Sequence, residues 1–294
     1  MRSVSAPLVV FGCGFTGSVA AVLRLSRGGR VIATVRDAGR AAALRKAGVE
    51  AHAIPALTEA VVEALVPEGA EVLVGFPPDA EADRAVSKVL GRARSAVYVS
   101  STAVYGGATG AVDEAVPVDT GDARAAARLG AEAPYAGAGA VILRAAGIYG
   151  PGRGLHQRLL RGEHRLVMGG HKVVSRIHVE DLARFALGAL EQGMRGEVFV
   201  VGDDTPVPQV EVVQWLCARL GVPLPAEVGE GEVPETLRHD RAVQNARIKA
   251  ALGMALLYPS YREGFEACFA AEAAKSRDGE LPVVLSAKSG GGGF

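Results

Sequence analysis

The sequence predicts an α/β fold in which a doubly wound parallel sheet precedes a smaller C-terminal lobe. Three observations lead to this prediction. A glycine-rich stretch, 12–17, follows the apolar run 8–11 and precedes an apolar segment with helical character. Strand-like and helix-like segments then alternate as far as residue 150, as is typical of a parallel sheet covered by helices on both faces. Beyond residue 150 the alternation ends, which indicates a second lobe.

The elements of the sheet domain are predicted from local composition. Apolar or β-branched runs are predicted as strands, and they are 8–11, 30–35, 49–54, 71–76, 96–99 and 140–143. Segments rich in Ala, Leu, Arg and Glu are predicted as helices, and they are 18–25, 37–47, 59–66, 80–90 and 124–133. Each of the first five strands is therefore followed by a helix that can cross over to the next parallel strand.

The second lobe is predicted to be irregular and to return in part to the sheet. Its predicted strands are 174–179 and 198–201, and its predicted helices are 179–191, 209–220 and 245–252. The predicted division of the chain is a sheet domain over 1–150, a smaller lobe over 151–270 and a disordered tail over 271–294. The tail ends in a run of glycines and has no pattern that predicts packing.

The composition limits the classes of partner and compartment. Basic and acidic side chains number 32 each, so the net charge is zero and we expect small-molecule partners, with no nucleic acid and no membrane surface. Three widely separated cysteines favour a reducing cytoplasm over a disulfide framework. The first apolar run is too short for a signal peptide or a spanning helix. The glycine pair 169–170 interrupts any helix that could bring His164, His171 and His178 together, so no metal site is predicted.

The glycine stretch has the G-x-G-x-x-G spacing of a dinucleotide-binding turn. Gly12 would make the tight turn, Gly14 would let a pyrophosphate approach the backbone, and Gly17 would let the helix pack on the strand. Backbone N–H groups at Phe15 and Thr16 and the helix dipole would receive the anion. A plain turn between a core strand and a helix is the alternative. We predict a Rossmann-type NAD(P)-binding domain.

Arg36 follows the second strand, where NAD-specific folds carry an acid for the ribose 2′-hydroxyl. An arginine there suits a 2′-phosphate, so NADP is favoured over NAD, and Arg40 would add a second contact. The alternative is a solvated pair in which Asp37 caps the next helix. Phe76, after the fourth strand, is also predicted to contact the cofactor.

Hydroxyl side chains follow the fifth strand. Ser100, Ser101 and Thr102 stand there, with Tyr105 close behind. In an open α/β sheet, ligands bind at the carboxyl ends of the strands, where hydroxyls can hydrogen-bond the carbonyl or alcohol of a substrate. Ser100 is predicted to contact the cofactor and Ser101 the substrate.

With this segment the chain resembles the extended short-chain dehydrogenases/reductases, the NAD(P)-dependent epimerase/dehydratase-like group. The resembling stretches are 8–17, 100–106, 143–153 and 175–183. The resemblance implies that Ser101 holds the reacting oxygen, with Thr102 as a weaker candidate. Sugar 4,6-dehydratases carry an acidic pair at the positions of Thr102 and Ala103, so dehydration is disfavoured.

The resemblance also implies a Tyr-x-x-x-Lys pair for proton transfer, and this chain lacks it. No lysine has a tyrosine four residues before it, and Arg124 and Arg128 align with the two positions. Arg128 could still bind ribose or phosphate, because guanidinium is a permanent, forked donor. A solvated helix face is the alternative for both. Tyr105 is the nearest other phenol, either catalytic or packed beside the site. These departures resemble the atypical branch of the family.

In the second lobe, the resemblance assigns Tyr149 and the residues up to Arg153 to a loop that closes over the nicotinamide. It brings Arg176 and His178 to the substrate, where Arg176 would suit a phosphate of a nucleotide sugar. Alternatively, both side chains tie the lobe to the sheet. Family members also pair through helices of the sheet lobe, so a homodimer is consistent with the resemblance.

Two functions follow as expectations. The first is an NADP-dependent oxidoreductase or epimerase-like enzyme with a small carbonyl or nucleotide-sugar substrate, in which Ser101, Thr102, Tyr105 and Arg128 are the catalytic candidates. The second is a non-catalytic NADP-binding sensor or regulatory protein. The missing Tyr/Lys pair favours the second, and the hydroxyls after the fifth strand favour the first.

Overall fold

The computed structural model describes residues 6–232 and 240–278. The strands are β1 Leu8–Phe11, β2 Val31–Val35, β3 Glu50–Ala53, β4 Glu71–Val74, β5 Ser95–Ser101, β6 Gly110–Val112, β7 Val141–Ala145, β8 Gly147–Tyr149, β9 Leu166–Val167, β10 Val173–Val174, β11 Arg176–His178, β12 Val198–Val201, β13 Val207–Pro208, β14 Glu227–Val228 and β15 Arg241–Val243. The helices are α1 Phe15–Ser26, α2 Ala38–Lys46, α3 Glu59–Leu65, α4 Ala80–Val89, α5 Ala123–Gly137, α6 Leu155–Leu160, α7 Val179–Glu191, α8 Gln209–Leu220, α9 Ala246–Leu252 and α10 Tyr261–Asp278.

The central sheet has seven strands in the order β12-β7-β5-β4-β1-β2-β3. Every neighbouring pair in it is parallel, which confirms the predicted doubly wound α/β class. The chain builds outward from β1 in one direction and from β4 in the other. The two strands therefore form the topological switch point, where open α/β sheets bind ligands.

Helices cover both faces of this sheet because its strands are apolar on both sides. Leu8 and Val10 of β1 face a core shared with α1, α2 and α7. Val9 and Phe11 face the opposite core, which α3, α4 and α5 cover. This two-sided burial explains why the strands are continuously apolar rather than alternating.

Strand β12 lies after residue 150 in the sequence but belongs to the central sheet of the first domain. It pairs with β7 over Ile142–Ala145 and becomes the edge of the central sheet. Helix α7 packs beside α1 on the same core. The second lobe thus returns to the sheet after β11, whereas α6, α8 and α10 form a separate core.

That separate core lies between α6, α8 and α10 and contains Tyr149, Leu216 and Phe265. Helix α10 was not predicted from local composition, and it continues to Asp278. The predicted tail over 271–294 is therefore wrong for 271–278, because aromatic residues earlier in α10 anchor the helix against α8. Residues 279–294 lie outside the described residues.

The predicted strand 174–179 is divided in the structure. Val173–Val174 pairs with β13 and β15, whereas Arg176–His178 pairs with β8. Ser175 separates them because its hydroxyl donates to the Arg241 carbonyl, 2.9 Å away, and turns the chain. None of the described helices is both long and apolar enough to cross a bilayer.

Candidate active site

The glycine loop lies at the switch point and is held there by close packing. Gly12 has φ +72°, and a Cβ on it would lie 2.7 Å from the Phe76 Cβ. A Cβ on Gly17 would lie 2.8 Å from Val10 Cγ1. Both positions therefore require glycine: the first for its backbone conformation and its contact with the β4 loop, the second for the approach of α1 to β1.

Gly14 differs from these two because nothing in the protein fills the space above it. It is exposed, and its nearest neighbour to an added Cβ is the Gly12 carbonyl oxygen at 3.8 Å. Gly14 also precedes α1 without a side-chain cap, and the first turn of α1 carries no acidic residue. The N-terminal N–H groups at Phe15 and Thr16 thus form an uncapped, open helix end, which fits an anionic group such as a pyrophosphate.

Arg36 and Arg40 occupy different environments beside this loop. Arg36 is exposed after β2. Asp37 caps α2 by accepting the Arg40 N–H at 2.7 Å, as the alternative reading of the pair required. The Arg40 Nη2 donates to Ser18 Oγ at 2.6 Å, and its Nη1 is buried without a hydrogen-bond partner. Arg40 therefore presents an unsatisfied donor next to the glycine loop.

Ser100 does not point into the crevice. Its hydroxyl donates to Glu132 Oε1 on α5 at 2.5 Å, and Arg144 donates to the other oxygen, Oε2, at 2.8 Å. Both carboxylate oxygens are thereby occupied, and the Glu132 side chain is 6% exposed. Ser100 was predicted to contact the cofactor, but its side chain instead binds Glu132 inside the protein. The reason is that β5 directs this side chain towards α5.

Ser101 and Thr102 lie at the carboxyl end of β5 and are partly exposed. Ser101 Oγ accepts the Ala103 N–H at 3.2 Å and so begins a short 3₁₀ turn over Thr102–Tyr105. The Thr102 carbonyl accepts from Arg241 of β15. Both hydroxyls lie at the carboxyl edge of the sheet, and the Ser101 hydroxyl, which accepts in this bond, still has a proton to donate.

Tyr105 is a packed residue. It is 1% exposed, and its hydroxyl accepts from Arg144 Nη1 at 3.2 Å. Burial raises the pKa of Tyr105, and this effect exceeds the lowering by Arg144. A buried phenol with a raised pKa is poorly suited to exchange protons with a ligand, so the packed alternative describes its position.

Arg128 is half-buried, whereas Arg124 is exposed. The Arg128 charge acts on the hydroxyl of Tyr98 in β5 and on the carboxyl of Asp83 in α4. Burial raises the pKa of Tyr98 to about 12 in spite of that charge. Arg128 therefore lies close enough to Tyr98 and Asp83 for its charge to act on both groups.

The Tyr149 side chain points into the second-lobe core and away from the glycine loop. It is 3% exposed, and its ring centroid is 4.5 Å from that of Phe265. A Cβ on Gly264 would lie 1.8 Å from its hydroxyl. The predicted cofactor contact of Tyr149 is thus corrected, because α10 covers the ring; the turn that follows it contacts the loop instead.

That turn, Gly150–Arg153, closes on itself through hydrogen bonds of 2.9 and 3.0 Å between its end residues. It rests on Phe15: a Cβ on Gly150 would lie 3.0 Å from Phe15 Cζ. The Arg153 guanidinium lies 5.3 Å from the Phe15 ring centroid. The turn therefore contacts the first residue of α1, where the open helix end begins.

Arg176 is buried beneath α10 at 6% exposure. Its Nη1 has no hydrogen-bond partner, and its guanidinium lies 5.8 Å from the Tyr261 ring centroid. Burial lowers the pKa of Arg176, and the carboxyl of Asp203 opposes this. Burial raises the pKa of Asp203 to about 7, and Arg176 opposes that shift. Arg176, predicted to bind a phosphate or to tie the lobe to the sheet, thus has an acidic group beside it, Asp203, that the sequence analysis did not identify.

His178 caps α7. Its Nδ1 accepts the Glu180 N–H at 3.3 Å, and its Nε2 lies 3.8 Å from Cys268 Sγ. The ring also packs against Tyr258 with centroids 4.1 Å apart. Burial lowers the pKa of His178 to about 4, so the ring is neutral near pH 7. The packed alternative describes His178.

Sequence reasoning missed four residues that organise this region: Glu132, Arg144, Asp203 and Glu272. Glu132 and Arg144 form a buried ion pair, and Asp203 lies just after β12 at the carboxyl edge. Asp203 could have been identified from the sequence, because it follows the end of a predicted strand. For the other three, the partners are distant in sequence and no local pattern joins them.

Comparison with known proteins supports this description. No family model matches the chain. A solved structure of a functionally unknown conserved protein from Silicibacter pomeroyi is 31% identical, covers 90% of this chain and 99% of its own, and superposes with a TM-score of 0.78. The chain belongs to the same family as that protein.

Other similar proteins carry the names of enzymes. A 3-diazoavenalumate denitrifying reductase from a Streptomyces species is 32% identical over 138 residues, which are 42% of this chain and 45% of the reductase. The match thus spans less than half of that relative. UDP-glucuronic acid 4-epimerase from Bacillus cereus, solved with NAD, is 16% identical over 91% of this chain and 99% of its own, with a TM-score of 0.74, and shows the fold alone. Structural neighbours are thus NAD-dependent epimerase/dehydratase family members.

Proposed function

We propose that the chain is an NADP(H)-dependent oxidoreductase that acts on a small molecule at the carboxyl edge of its sheet. The observation that carries this proposal is the open helix end at Gly14, where an exposed glycine adjoins uncapped backbone N–H groups. Exposed backbone N–H groups at a helix N-terminus, aligned with the helix dipole, can bind an anionic group.

Each part of the dinucleotide has residues that fit it. The backbone from Gly12 to Gly17 would hold the pyrophosphate, and Arg40, with Arg36 at the rim, would hold a ribose 2′-phosphate. The unsatisfied Nη1 of Arg40 supports the phosphate. Ser101 and Thr102 would bind the substrate. When bound, the nicotinamide supplies or accepts a hydride.

Proton transfer is the step for which this site is poorly equipped. Tyr105 is buried and hydrogen-bonded to Arg144, and His178 is a neutral helix cap. Ser101 can orient a substrate oxygen, but a serine hydroxyl is a weak acid. Reduction at an electrophile other than a carbonyl, where no alkoxide needs a proton, suits these residues better. The name of the partial relative, a reductase of a diazo compound, agrees with that substrate class.

A non-catalytic NADP(H)-binding protein is the second candidate. Arginines at both positions of the Tyr-x-x-x-Lys pair favour it. Such a protein would keep the cofactor crevice and respond to the redox state of the dinucleotide. It would bind NADP(H) and turn over no substrate.

Titration separates the parts of this proposal. NADPH and NADH binding is measured by fluorescence for the wild type, Arg40→Ala and Arg36→Ala. We expect NADPH to bind more tightly, and Arg40→Ala to weaken NADPH by roughly tenfold or more while changing NADH little, because one charge-assisted hydrogen bond is lost. Lys46→Ala, at the far end of α2, is the control. Equal losses for both dinucleotides would refute the 2′-phosphate assignment.

A turnover screen then distinguishes the enzyme from the sensor. Aldehydes, nucleotide sugars and aryl diazo acids are incubated with NADPH, and its oxidation is followed at 340 nm. Oxidation with a non-carbonyl electrophile supports the proposal. Tight NADPH binding with no oxidation by any compound would favour the non-catalytic protein.

A further inference from the structure

One carboxylate of helix α10, Glu272, contacts the turn that packs against the glycine loop. Its Oε1 accepts the Gly152 N–H at 2.6 Å and lies 2.9 Å from His156 Nε2. Its Oε2 accepts from Gln157 Nε2 at 3.0 Å. Gly152 belongs to the turn on Phe15, and His156 and Gln157 belong to α6. Glu272 therefore joins three elements at one point.

The turn has the shape that exposes an N–H to this carboxylate. Pro151 and Gly152 occupy its central positions, and Gly152 has φ +75°, as in a type II turn with Pro followed by Gly. Gly150 and Arg153 bond to each other, so the end groups of the turn are satisfied internally. The Gly152 N–H is directed outward, and a carboxylate acceptor makes its hydrogen bond a strong one.

The opposite side of the turn contacts the glycine loop. Gly150 is packed between Phe15 and Val179, where an added Cβ would lie 3.0 Å from Phe15 Cζ and 2.5 Å from Val179 Cγ1. The Arg153 guanidinium lies over the Phe15 ring. A displacement of the turn would therefore change the packing at the first residue of α1.

The contact between Glu272 and α6 is held in place by the buried ring of His156. His156 is fully buried, and its ring meets Phe265 and Phe269 of α10 edge-on, with centroids 5.3 and 5.9 Å away. Burial by itself raises the pKa of Glu272, but the hydrogen bonds from His156 and Gly152 lower it overall. The carboxylate is thus held charged against α6 and the turn.

We propose that Glu272 is a positioning residue for cofactor retention: it holds the Gly150–Arg153 turn against Phe15 and so slows the release of NADP(H) from the glycine loop. The inference rests on the proposed function, since it requires the dinucleotide to bind at that loop. A part of the chain beyond the sheet lobe would then control how long the cofactor stays bound.

The test measures dissociation. Wild type, Glu272→Ala and Glu272→Gln are loaded with NADPH and mixed in a stopped-flow instrument with excess NADP⁺, and nicotinamide fluorescence is followed. We expect Glu272→Ala to raise the dissociation rate by roughly five- to tenfold, in line with the loss of a charge-assisted hydrogen bond, with little change in the association rate. Glu272→Gln, which keeps an acceptor oxygen for Gly152, should lie between them.

Glu266→Ala is the matched control, because Glu266 lies on the same helix but pairs only with the exposed Arg219 among the contacts found for it. Amide hydrogen exchange of Gly152 in the ligand-free protein is a second readout, and it should accelerate in Glu272→Ala only. Phe15→Leu combined with Glu272→Ala should raise the dissociation rate by less than the product of the single effects, because both act on one turn.

The outcomes distinguish the two proposals. If the wild type binds no NADPH, the proposed function fails. If the wild type binds NADPH and Glu272→Ala lowers the melting temperature without changing the dissociation rate, Glu272 is only a structural contact and this inference is overturned. Faster dissociation in Glu272→Ala with an unchanged Glu266→Ala supports it.

Discussion

One buried ion pair orients the side chains at the carboxyl edge of the sheet. Glu132 accepts hydrogen bonds from Ser100 and Arg144, and Arg144 also donates to Tyr105. Because Glu132 is withdrawn from water, its charge is tolerated only while the guanidinium faces it. The pair fixes Ser100 and Tyr105 inside the protein and leaves Ser101 and Thr102 for a ligand.

Removing the carboxylate should therefore destabilise the fold. We expect Glu132→Ala to lower the free energy of unfolding by about 3 kcal/mol, because Arg144 is left buried and unpaired. Urea denaturation measures the change. Glu197→Ala, which breaks an exposed pair with Arg247, is the control and should change stability little. Equal effects of the two variants would contradict the role of the buried pair.

Asp203 gives a pH dependence with a defined sign. Its pKa is about 7 in the folded protein, against an ordinary value of about 3.9 in an unfolded chain. The folded state therefore binds more protons between these values, so stability falls as pH rises from about 4 to about 7 and the loss is complete above that range.

Asp203→Asn should remove this dependence. We expect the slope of unfolding free energy against pH in that window to become less negative, by up to about 1.4 kcal/mol per pH unit. Denaturant titrations at several pH values measure it. Glu81→Gln, at an exposed position on α4, leaves Asp203 and the charges that act on it in place and should keep the slope. An unchanged slope in Asp203→Asn would show that Asp203 is ionised throughout.

At the scale of the element, the β1–α1 turn uses its glycines for different purposes. Gly12 has φ +72° and no room for a Cβ beside Phe76, whereas Gly14 has φ −84° and open space. The fold requires glycine at the first position, whereas the packing of the protein leaves room for a side chain at the second. Substituting each with alanine therefore separates stability from binding.

We expect Gly12→Ala to destabilise the protein by about 1–3 kcal/mol, through strain and the contact with Phe76. Gly14→Ala should cost under about 1 kcal/mol, as at other caps, and yet weaken NADPH binding strongly. Thermal unfolding and fluorescence titration measure the two effects. If Gly14→Ala binds NADPH as the wild type does, the open helix end is not the pyrophosphate site.

Helix α10 depends on a glycine where it crosses Tyr149. A Cβ on Gly264 would lie 1.8 Å from the Tyr149 hydroxyl, and the ring is buried against Phe265 and His178. We expect Gly264→Ala to lower the unfolding free energy by about 1–3 kcal/mol, as overpacking does. Gly130→Ala on α5, where nothing lies within 4 Å, should be neutral or slightly stabilising. Thermal unfolding of both variants checks the contrast.

At the scale of the whole molecule, the sheet domain is completed by later parts of the chain. Strand β12 forms an edge of the central sheet, and α7 covers α1. A fragment of 1–150 would lack both and would expose the edge of β7. We expect the full chain to unfold in one cooperative transition by calorimetry, and the fragment to show no such transition. If the 1–150 fragment unfolds in a cooperative transition, the predicted domain boundary at residue 150 is supported.

Local sequence patterns were sufficient to predict most of the sheet. Apolar runs such as 8–11 and 140–143 became parallel strands, because a strand buried on both faces is apolar throughout. Glycine spacing also located the turn at the switch point. Helix α10 escaped prediction because its buried residues face α8 and α6, which are distant in sequence, and its average composition resembles a surface segment.

The side-chain roles were harder to predict from the same sequence. Ser100 and Ser101 are adjacent hydroxyls, yet the strand directs one to Glu132 and leaves the other at the edge. Tyr149 and His178 lie in stretches that resemble functional loops, but both are buried under α10. Strand alternation and packing decided these directions, and neither can be obtained from a motif.

The sequence by itself determined the fold class, the glycine turn at Gly12 to Gly17 and the missing Tyr/Lys pair, because backbone conformation and strand burial act locally. Only the tertiary structure decided which polar groups face the crevice, which are paired inside, and that Glu272 contacts the turn on Phe15. These outcomes depend on contacts between separate elements, from Ser100 with Glu132, 32 positions apart, to Gly152 with Glu272, 120 positions apart. Burial and partner choice at such distances follow from packing of the whole chain.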